Sequence, residues 1–508
     1  MCSPDTPAAP VERDDAPDPT DPSGSLVVPL FDRGAHDTVL LEAAGPVDRL
    51  QIESRVRRLA ERLGKARAGS RYALNLCDDR RHFLTAFAAV IAAGFVNLLP
   101  PNRQRSTVAA LVERYEDVFI VHDGSVAGLS LPCAALDVRP AANQTDINAL
   151  ADALERPDED APRPAARRDA LAAVSFTSGS TGVPGANPKR WGALIDGTAI
   201  NARAMLEGLD GCMDDGPLSM LATVPPQHMY GLELSVLLPM RASVCAVDGQ
   251  PLYPADVCAA LARCPEPRAL VTTPAHLRAL LGAGIALPAA SRIYSATAPL
   301  AAELARRTEA AFSGTLVEIY GCSEVGSVAR RTSARDELWR VFDGLSLQAM
   351  SSPTGTGPTG AGKSVTGPGV SYRVVAPHLD AAPELQDALQ IVAPGRFRLA
   401  GRQGDLLNIA GKRGSLAEIT RRLLQAPAVL DAVAFQSEQG RLVAIVVAPD
   451  GQRAAIIASL RAHLDPVFLP RPLLFAERLP RQASSKLLAS DVQALYATLS
   501  GERTRLKR

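Results

Sequence analysis

The stretch Ala172-Ala173-Val174-Ser175-Phe176-Thr177-Ser178-Gly179-Ser180-Thr181-Gly182-Val183-Pro184 passes from an apolar run straight into glycines and hydroxylated residues. The apolar half predicts a strand at 172–177. The small residues let the backbone close around an anion, and consecutive N–H groups form a nest for phosphate oxygens. Ser178, Ser180 and Thr181 add hydroxyl donors. A plain surface turn is the duller alternative. A strand feeding the loop, with Lys189 and Arg190 beyond it, favours phosphate.

On both sides of this stretch, helical and strand patterns alternate. Helices are expected at 47–63, closed by Gly64, at 82–93, closed by Gly94, and at 300–312, followed by Gly314. Strands are expected at 71–76, 118–122, 269–272, 291–296 and 315–319. This alternation predicts an α/β fold of layered, largely parallel sheets. Beyond Gly401 the pattern restarts on a smaller scale, with helices at 417–424 and 453–463 and a strand at 442–447. The expected organisation is a disordered Pro/Asp-rich tail at 1–25 and a large N-terminal domain at 26–400. A small mobile α/β C-terminal domain is expected at 401–500. A flexible Gly/Pro loop is expected at 351–369.

A length of 508 residues exceeds what one compact core holds, so two or more domains are expected. Lys+Arg and Asp+Glu both total 54, so no charge field points to nucleic acid or a membrane surface. The eight cysteines form no CxxC pair, which argues against zinc and for reduced thiols in the cytoplasm. The N-terminus lacks the basic and apolar regions of a signal peptide, and no apolar run reaches the length of a membrane span.

Two motif matches in the 351–369 loop mislead. Gly357 to Ser364 reads GPTGAGKS, a P-loop pattern with Lys363, and Gly355, Gly357 and Gly360 fit G-x-G-x-x-G. Both motifs need a helix to open directly after the loop. Here Val365, Thr366, Gly367, Pro368 and Gly369 follow, and two glycines with a proline do not open a helix. A chance match is the better reading, with a P-loop NTPase kept as the rival of another class.

Several motifs in order resemble a known family. Thr177 to Pro184, TSGSTG-x-P, is similar to the phosphate loop of the AMP-forming acyl- and aryl-CoA synthetases, which also include luciferases and peptide-synthetase adenylation domains. Pro226-Gln227-His228-Met229-Tyr230-Gly231 resembles their substrate segment, and Ser295-Ala296-Thr297-Ala298-Pro299-Leu300 their SGGAPL loop. Tyr320-Gly321-Cys322-Ser323-Glu324 resembles Y-G-x-T-E. Gly401-Arg402-Gln403-Gly404-Asp405 resembles the interdomain linker, and Leu479 to Lys486 the terminal P-x-x-x-x-G-K segment. Within the family, Leu99-Pro100-Pro101-Asn102-Arg103-Gln104 and Pro188-Lys189-Arg190-Trp191 are most similar to stand-alone ligases of bacterial aryl-polyene pigment clusters.

The resemblance implies ATP-dependent activation of a carboxylic acid to acyl-AMP, then transfer to a pantetheine thiol of coenzyme A or an acyl carrier protein. Thr177, Ser178, Gly179, Ser180, Thr181 and Gly182 would cradle the phosphates, with Lys189 or Arg190 adding charge. Glu324 and Thr181 would hold Mg²⁺, and Ser323 would touch the α-phosphate. Ala296, Thr297, Ala298, Tyr320 and Gly321 would receive adenine, with Tyr320 stacking on it, and Asp387 and Arg402 the ribose. His228, Met229, Tyr230 and Gly231 would border the acid. Gly404 would be the hinge, and Lys486 would neutralise charge building at the α-phosphate. Each role has a duller alternative: a solvated lysine, a surface glutamate, a structural histidine.

The expected acid is aromatic, hydroxybenzoate- or cinnamate-like, with a medium-chain fatty acid as the alternative. Three positions depart from the family pattern. Gly185 stands where lysine is usual, Gly404 where the hinge carries Asp or Lys, and Ser485 where glycine is usual. Because of Gly185 and Gly404, a non-catalytic binding relative is the third reading.

Overall fold

The computed structural model describes residues 26–124, 133–139, 158–177, 185–209, 211, 213–214, 216–350, 370–402, 406–409, 412–437, 440–449, 451–481 and 487–505. The expected tail, the 351–369 loop with Lys363, residues 178–184, Gly404 and Lys486 lie outside them, as do the side chains of Thr177 and Arg402. The chain forms two compact units, Met1–Leu221 with Pro225–Gln250, and Ala222–Val224 with Pro251–Arg508.

The first unit contains a six-stranded sheet. Its order is Gly185–Arg190, Leu171–Thr177, Val96–Leu99, Tyr72–Asn75, Val118–His122, Ala135–Asp137. All neighbours are parallel except the first pair, an antiparallel hairpin. The inner strands Val96–Leu99, Tyr72–Asn75 and Val118–His122 are short, mostly apolar runs because both faces are covered. Helix Arg80–Ala92 buries Phe83 and Phe87, stacked 6.4 Å apart, in the core with Leu84 and Val90. Helix Arg49–Ala66 opens on a capping box in which Asp48 and Gln51 satisfy each other's backbone N–H groups. It starts later than its periodicity predicts, because Gly45–Asp48 forms a strand. It also runs through Gly64, where a Cβ would meet nothing within 4 Å, so the glycine is a small interior cost rather than a stop.

The residues of the nearer resemblance are structural here. Trp191 is fully buried, and Arg103 donates to the Cys77 carbonyl and pairs with Asp78.

In the second unit, Arg268–Thr272, Arg292–Ser295 and Thr315–Cys322 run parallel. Helices Pro274–Gly282 and Ala302–Phe312 make the crossovers between them. The sheet then turns antiparallel through Gly326–Arg331, Trp339–Val341, Arg396–Arg402 and Asp387–Ala393. The expected helix stop at Gly314 has a different cause. Ser313 takes the left-handed position at φ 53°, while a Cβ on Gly314 would lie 1.8 Å from the Ala290 carbonyl oxygen.

The small C-terminal part carries a three-stranded sheet of Asp431–Gln436, Leu442–Val447 and Leu473–Phe475. One face packs Ala444 and Val446 against Ile419, Leu423, Ile456 and Leu460. The other packs Ile445 against Leu474, Leu479 and Val492. A strand covered on both faces reads as the unbroken apolar run at 442–447.

Candidate active site

Two parallel strands of the second unit, Arg268–Thr272 and Arg292–Ser295, end side by side, and the third, Thr315–Cys322, runs on past them. Thr272 registers with Ser295, and Ser295 with Glu318, so the first two carboxyl ends share one edge. Ligands of parallel α/β sheets gather at such ends. The loop after Arg292–Ser295 carries Ala296, Thr297 and Ala298. The neighbouring strand Thr315–Cys322 ends in Tyr320, Gly321 and Cys322, and a tight turn presents Ser323 and Glu324 before Gly326–Arg331. Glu324 is exposed at that turn.

Tyr320 and Asp387, distant in sequence, meet here. The Tyr320 hydroxyl donates to Asp387 Oδ2 at 2.8 Å. The tyrosine ring is 8% exposed and packs against Trp339 and Phe397, each at 5.7 Å between centroids. Asp387 opens its strand opposite the backbone of Arg402.

Two further details mark this edge. Ser295 Oγ is fully buried with no hydrogen-bond partner among the described residues. Gly321 sits at a register shift where a Cβ would lie 2.3 Å from the Gly326 carbonyl oxygen, so the hairpin backbones touch. Cys322 lies beside Glu324, and burial together with that carboxylate pushes its thiol up to about 12, which keeps it protonated.

Thr297 has φ 78°. A β-branched residue in the left-handed region is strained by about 1–2 kcal/mol. The family motif places glycine there. Thr297→Gly should relieve that strain while loosening the unfolded chain, for a net gain of about 0.5–1 kcal/mol. The readout is a higher urea midpoint at unchanged m.

No motif pointed to a further polar cluster on the same edge. Thr223 Oγ1 lies 2.9 Å from Thr272 Oγ1 and 2.8 Å from His276 Nδ1. The sequence signal was weak: Thr272-Thr273-Pro274 closing a strand, with the proline opening a helix. Burial lowers the His276 pKa from its ordinary 6.5. The unfolded chain therefore binds the proton more readily, so stability is complete above pH 6.5 and falls as pH drops below it. His276→Gln should flatten that part of the curve, measured by urea unfolding from pH 7.5 down to about pH 5.

The first unit holds the other expected groups. Thr177 and Gly185 pair at the open end of the hairpin, and residues 178–184 connect them. Lys189 pairs with Ala173 four positions down the strand, roughly 13 Å from that end at 3.3 Å per residue. It is 8% exposed, while Arg190 donates to the Asp169 carbonyl. In the 226–231 segment, His228 is half-buried and precedes the short helix Met229–Leu232. Gly231 is sterically required, since a Cβ would lie 2.1 Å from the Pro225 carbonyl oxygen. The segment continues into a π-helical turn, Glu233–Leu237, a feature frequent at functional sites. There Ser235 Oγ donates to the Gly231 carbonyl and accepts from Arg80, whose guanidinium burial lowers to about 10.

Residues 50–378 match the family described as AMP-binding enzyme. The chain belongs to that family. It is an AMP-forming carboxylate–thiol ligase. A 4-coumarate–CoA ligase of Rhodobacter capsulatus is 30% identical over 326 residues, which cover 63% of this chain and 76% of that protein. A sulfoacetate–CoA ligase of Cupriavidus necator is 28% identical, over 84% of this chain and 87% of its own. The crystal structure of an anthranilate CoA ligase in complex with anthranoyl-AMP superposes with a TM-score of 0.75 at 15% identity, covering 92% of this chain and 95% of that one. ATP-bound MatB from Rhodopseudomonas palustris gives 0.71 at 20% identity, covering 92% and 97%. These ligases share the α/β fold with a large N-terminal and a smaller C-terminal domain. Among the described residues, no helix is long and apolar enough to cross a membrane.

Proposed function

We propose that this ligase activates an aromatic acid, hydroxybenzoate- or cinnamate-like, and delivers it to the phosphopantetheine of an acyl carrier protein or to coenzyme A. The Tyr320–Asp387 pair beside the Ser323–Glu324 turn carries the site assignment. Similarity to the 4-coumarate–CoA ligase supports the aromatic acid. The 99–104 and 188–191 segments support a pigment-cluster ligase.

An acid carboxylate oxygen attacks the α-phosphorus of ATP, and pyrophosphate leaves. A thiol sulfur then attacks the acyl carbon, and AMP leaves. Such transfer is mostly positioning and charge stabilisation. Asp387 and Arg402 hold the ribose, Tyr320 fixes Asp387 and flanks adenine with Ala296, Thr297 and Ala298, and Thr177 with residues 178–182 cradles the phosphates. Ser323 contacts the α-phosphate, and the 228–231 segment borders the acid. Among the described residues, no group of three or more His, Cys, Asp or Glu gathers for a metal. Mg²⁺ takes one or two protein ligands plus phosphate oxygens and waters. Glu324 and Thr181 would supply the protein ligands, and the ion would neutralise phosphate charge. The small domain begins near residue 401 and swings at Gly404, where glycine is free in φ and ψ.

The test is acid-dependent ATP–pyrophosphate exchange across hydroxybenzoates, cinnamates and fatty acids. Exchange led by an aromatic acid is the expected result. Exchange confined to medium-chain fatty acids would refute the substrate class and keep the ligase.

A further inference from the structure

One cluster of charges outside the site joins three distant parts of the chain. Asp431 opens strand Asp431–Gln436 of the small sheet. Arg481 grips it with two hydrogen bonds, Nε to Oδ2 and Nη2 to Oδ1, both 2.7 Å. Arg278, on helix Pro274–Gly282 of the large domain, reaches the same carboxylate at 3.5 Å. All three side chains are at most 22% exposed. Asp431 is the one carboxylate at ion-pair distance from Arg278 among the described residues.

Arg481 is not an arbitrary partner. It forms a β-bridge with Leu487. Lys486 directly precedes Leu487 in the chain. A bidentate arginine–carboxylate pair fixes direction as well as distance. Holding Arg481 therefore holds Leu487, the chain neighbour of Lys486. Arg278 then ties the same carboxylate to the large domain. Burial draws the Arg278 guanidinium below its ordinary value, Asp431 pushes it back up and Arg481 draws it down again, the signature of two cations sharing one anion. The arrangement is one anion between two cations, so loss of Arg278 leaves Asp431 still neutralised by Arg481. Small-domain folding should survive that loss.

We propose that Asp431 and Arg278 are positioning residues for adenylation: they dock the base of the Lys486 segment onto the large domain in the first half-reaction and release it for the second. This rests on the reading of Lys486 as the adenylation lysine.

The two half-reactions separate the possibilities. Exchange of ATP with pyrophosphate would be measured with whichever of para-hydroxybenzoate, coumarate or octanoate the wild type activates fastest. Thioester formation would be measured from the matching preformed acyl-AMP and coenzyme A. Arg278→Gln should lower the exchange kcat about tenfold, with the KM for the acid and the rate from supplied acyl-AMP within about twofold of wild type. Arg278→Lys should recover most of the exchange, because the Arg278 contact is a single charge contact rather than a fork. Raising salt should weaken wild-type exchange and leave Arg278→Gln less affected. Equal losses in both half-reactions, exchange within about twofold of wild type, or failure of Arg278→Lys to recover would overturn the proposal. Asp431→Asn keeps the size of the side chain, removes both pairs, and should exceed Arg278→Gln in its effect on exchange alone. Wild-type exchange by Lys486→Ala would instead refute the adenylation lysine, and the proposal with it.

Discussion

Replacing Lys486 by alanine is expected to lower acid-dependent ATP–pyrophosphate exchange on the order of a hundred- to a thousandfold. The reaction moves negative charge onto the α-phosphate and its leaving pyrophosphate, and a positioned ammonium stabilises that charge only as it builds. Its loss should therefore appear in kcat, with the KM for ATP changed little. Thioester formation from supplied acyl-AMP should persist, because that step attacks the acyl carbon rather than the phosphorus and expels no pyrophosphate. Lys363→Ala is the paired control. Lys363 belongs to the GPTGAGKS match, and its substitution should leave exchange unchanged. A reversed outcome, with Lys363→Ala inactive and Lys486→Ala active, would place the chemistry at the P-loop match and refute the assignment.

How far the sequence carried this reading depended on the kind of contact. Strands such as 172–177, 118–122 and 442–447 are short apolar runs because both faces are covered, so each announces itself locally. The antiparallel extension of the second unit does not. Strand Gly326–Arg331 mixes core residues with Arg331, which pairs with buried Glu318 at 2.7 Å and covers Trp339 at 4.5 Å. Such a strand has no clean period, since a cation on its inner side is paired rather than replaced by an apolar residue. The site divides in the same way. The Tyr320 to Glu324 turn is contiguous and was legible as a motif, and so was Asp387 as a candidate. The bond between Tyr320 and Asp387 was not, because three strands separate theirs in the sheet and no local pattern links them. Thr223, Thr272 and His276 converge from three segments with no shared pattern. Arg278, Asp431 and Arg481 do the same.

Gly321→Ala should be a severely damaging one-carbon change in the site. The residue is itself exposed, so exposure alone predicts tolerance. Backbone occupies the place of the missing Cβ: the Gly326 carbonyl oxygen at 2.3 Å, its carbon at 3.0 Å and Ser327 Cα at 3.0 Å. None of these atoms ends a flexible side chain, so relief requires the two strands to part. Overpacking of this kind costs about 1–3 kcal/mol, read as a lower urea midpoint. The catalytic loss should be larger than the stability loss implies. Tyr320 and Glu324 lie on either side of Gly321, and a displacement of about 1 Å at a positioned group costs on the order of a hundredfold in rate. Exchange activity should fall by about that factor in protein that is still folded, with the Mg²⁺ requirement shifted upward on the proposal that Glu324 is a Mg²⁺ ligand. Gly64→Ala supplies the contrast. That glycine lies inside helix Arg49–Ala66 with nothing near its Cβ position, so the alanine should stabilise by about 1 kcal/mol and leave exchange unchanged. If Gly321→Ala kept wild-type stability and exchange, the hairpin would be yielding freely, and the close approach at the Tyr320–Gly321 register shift would not be what sets the site.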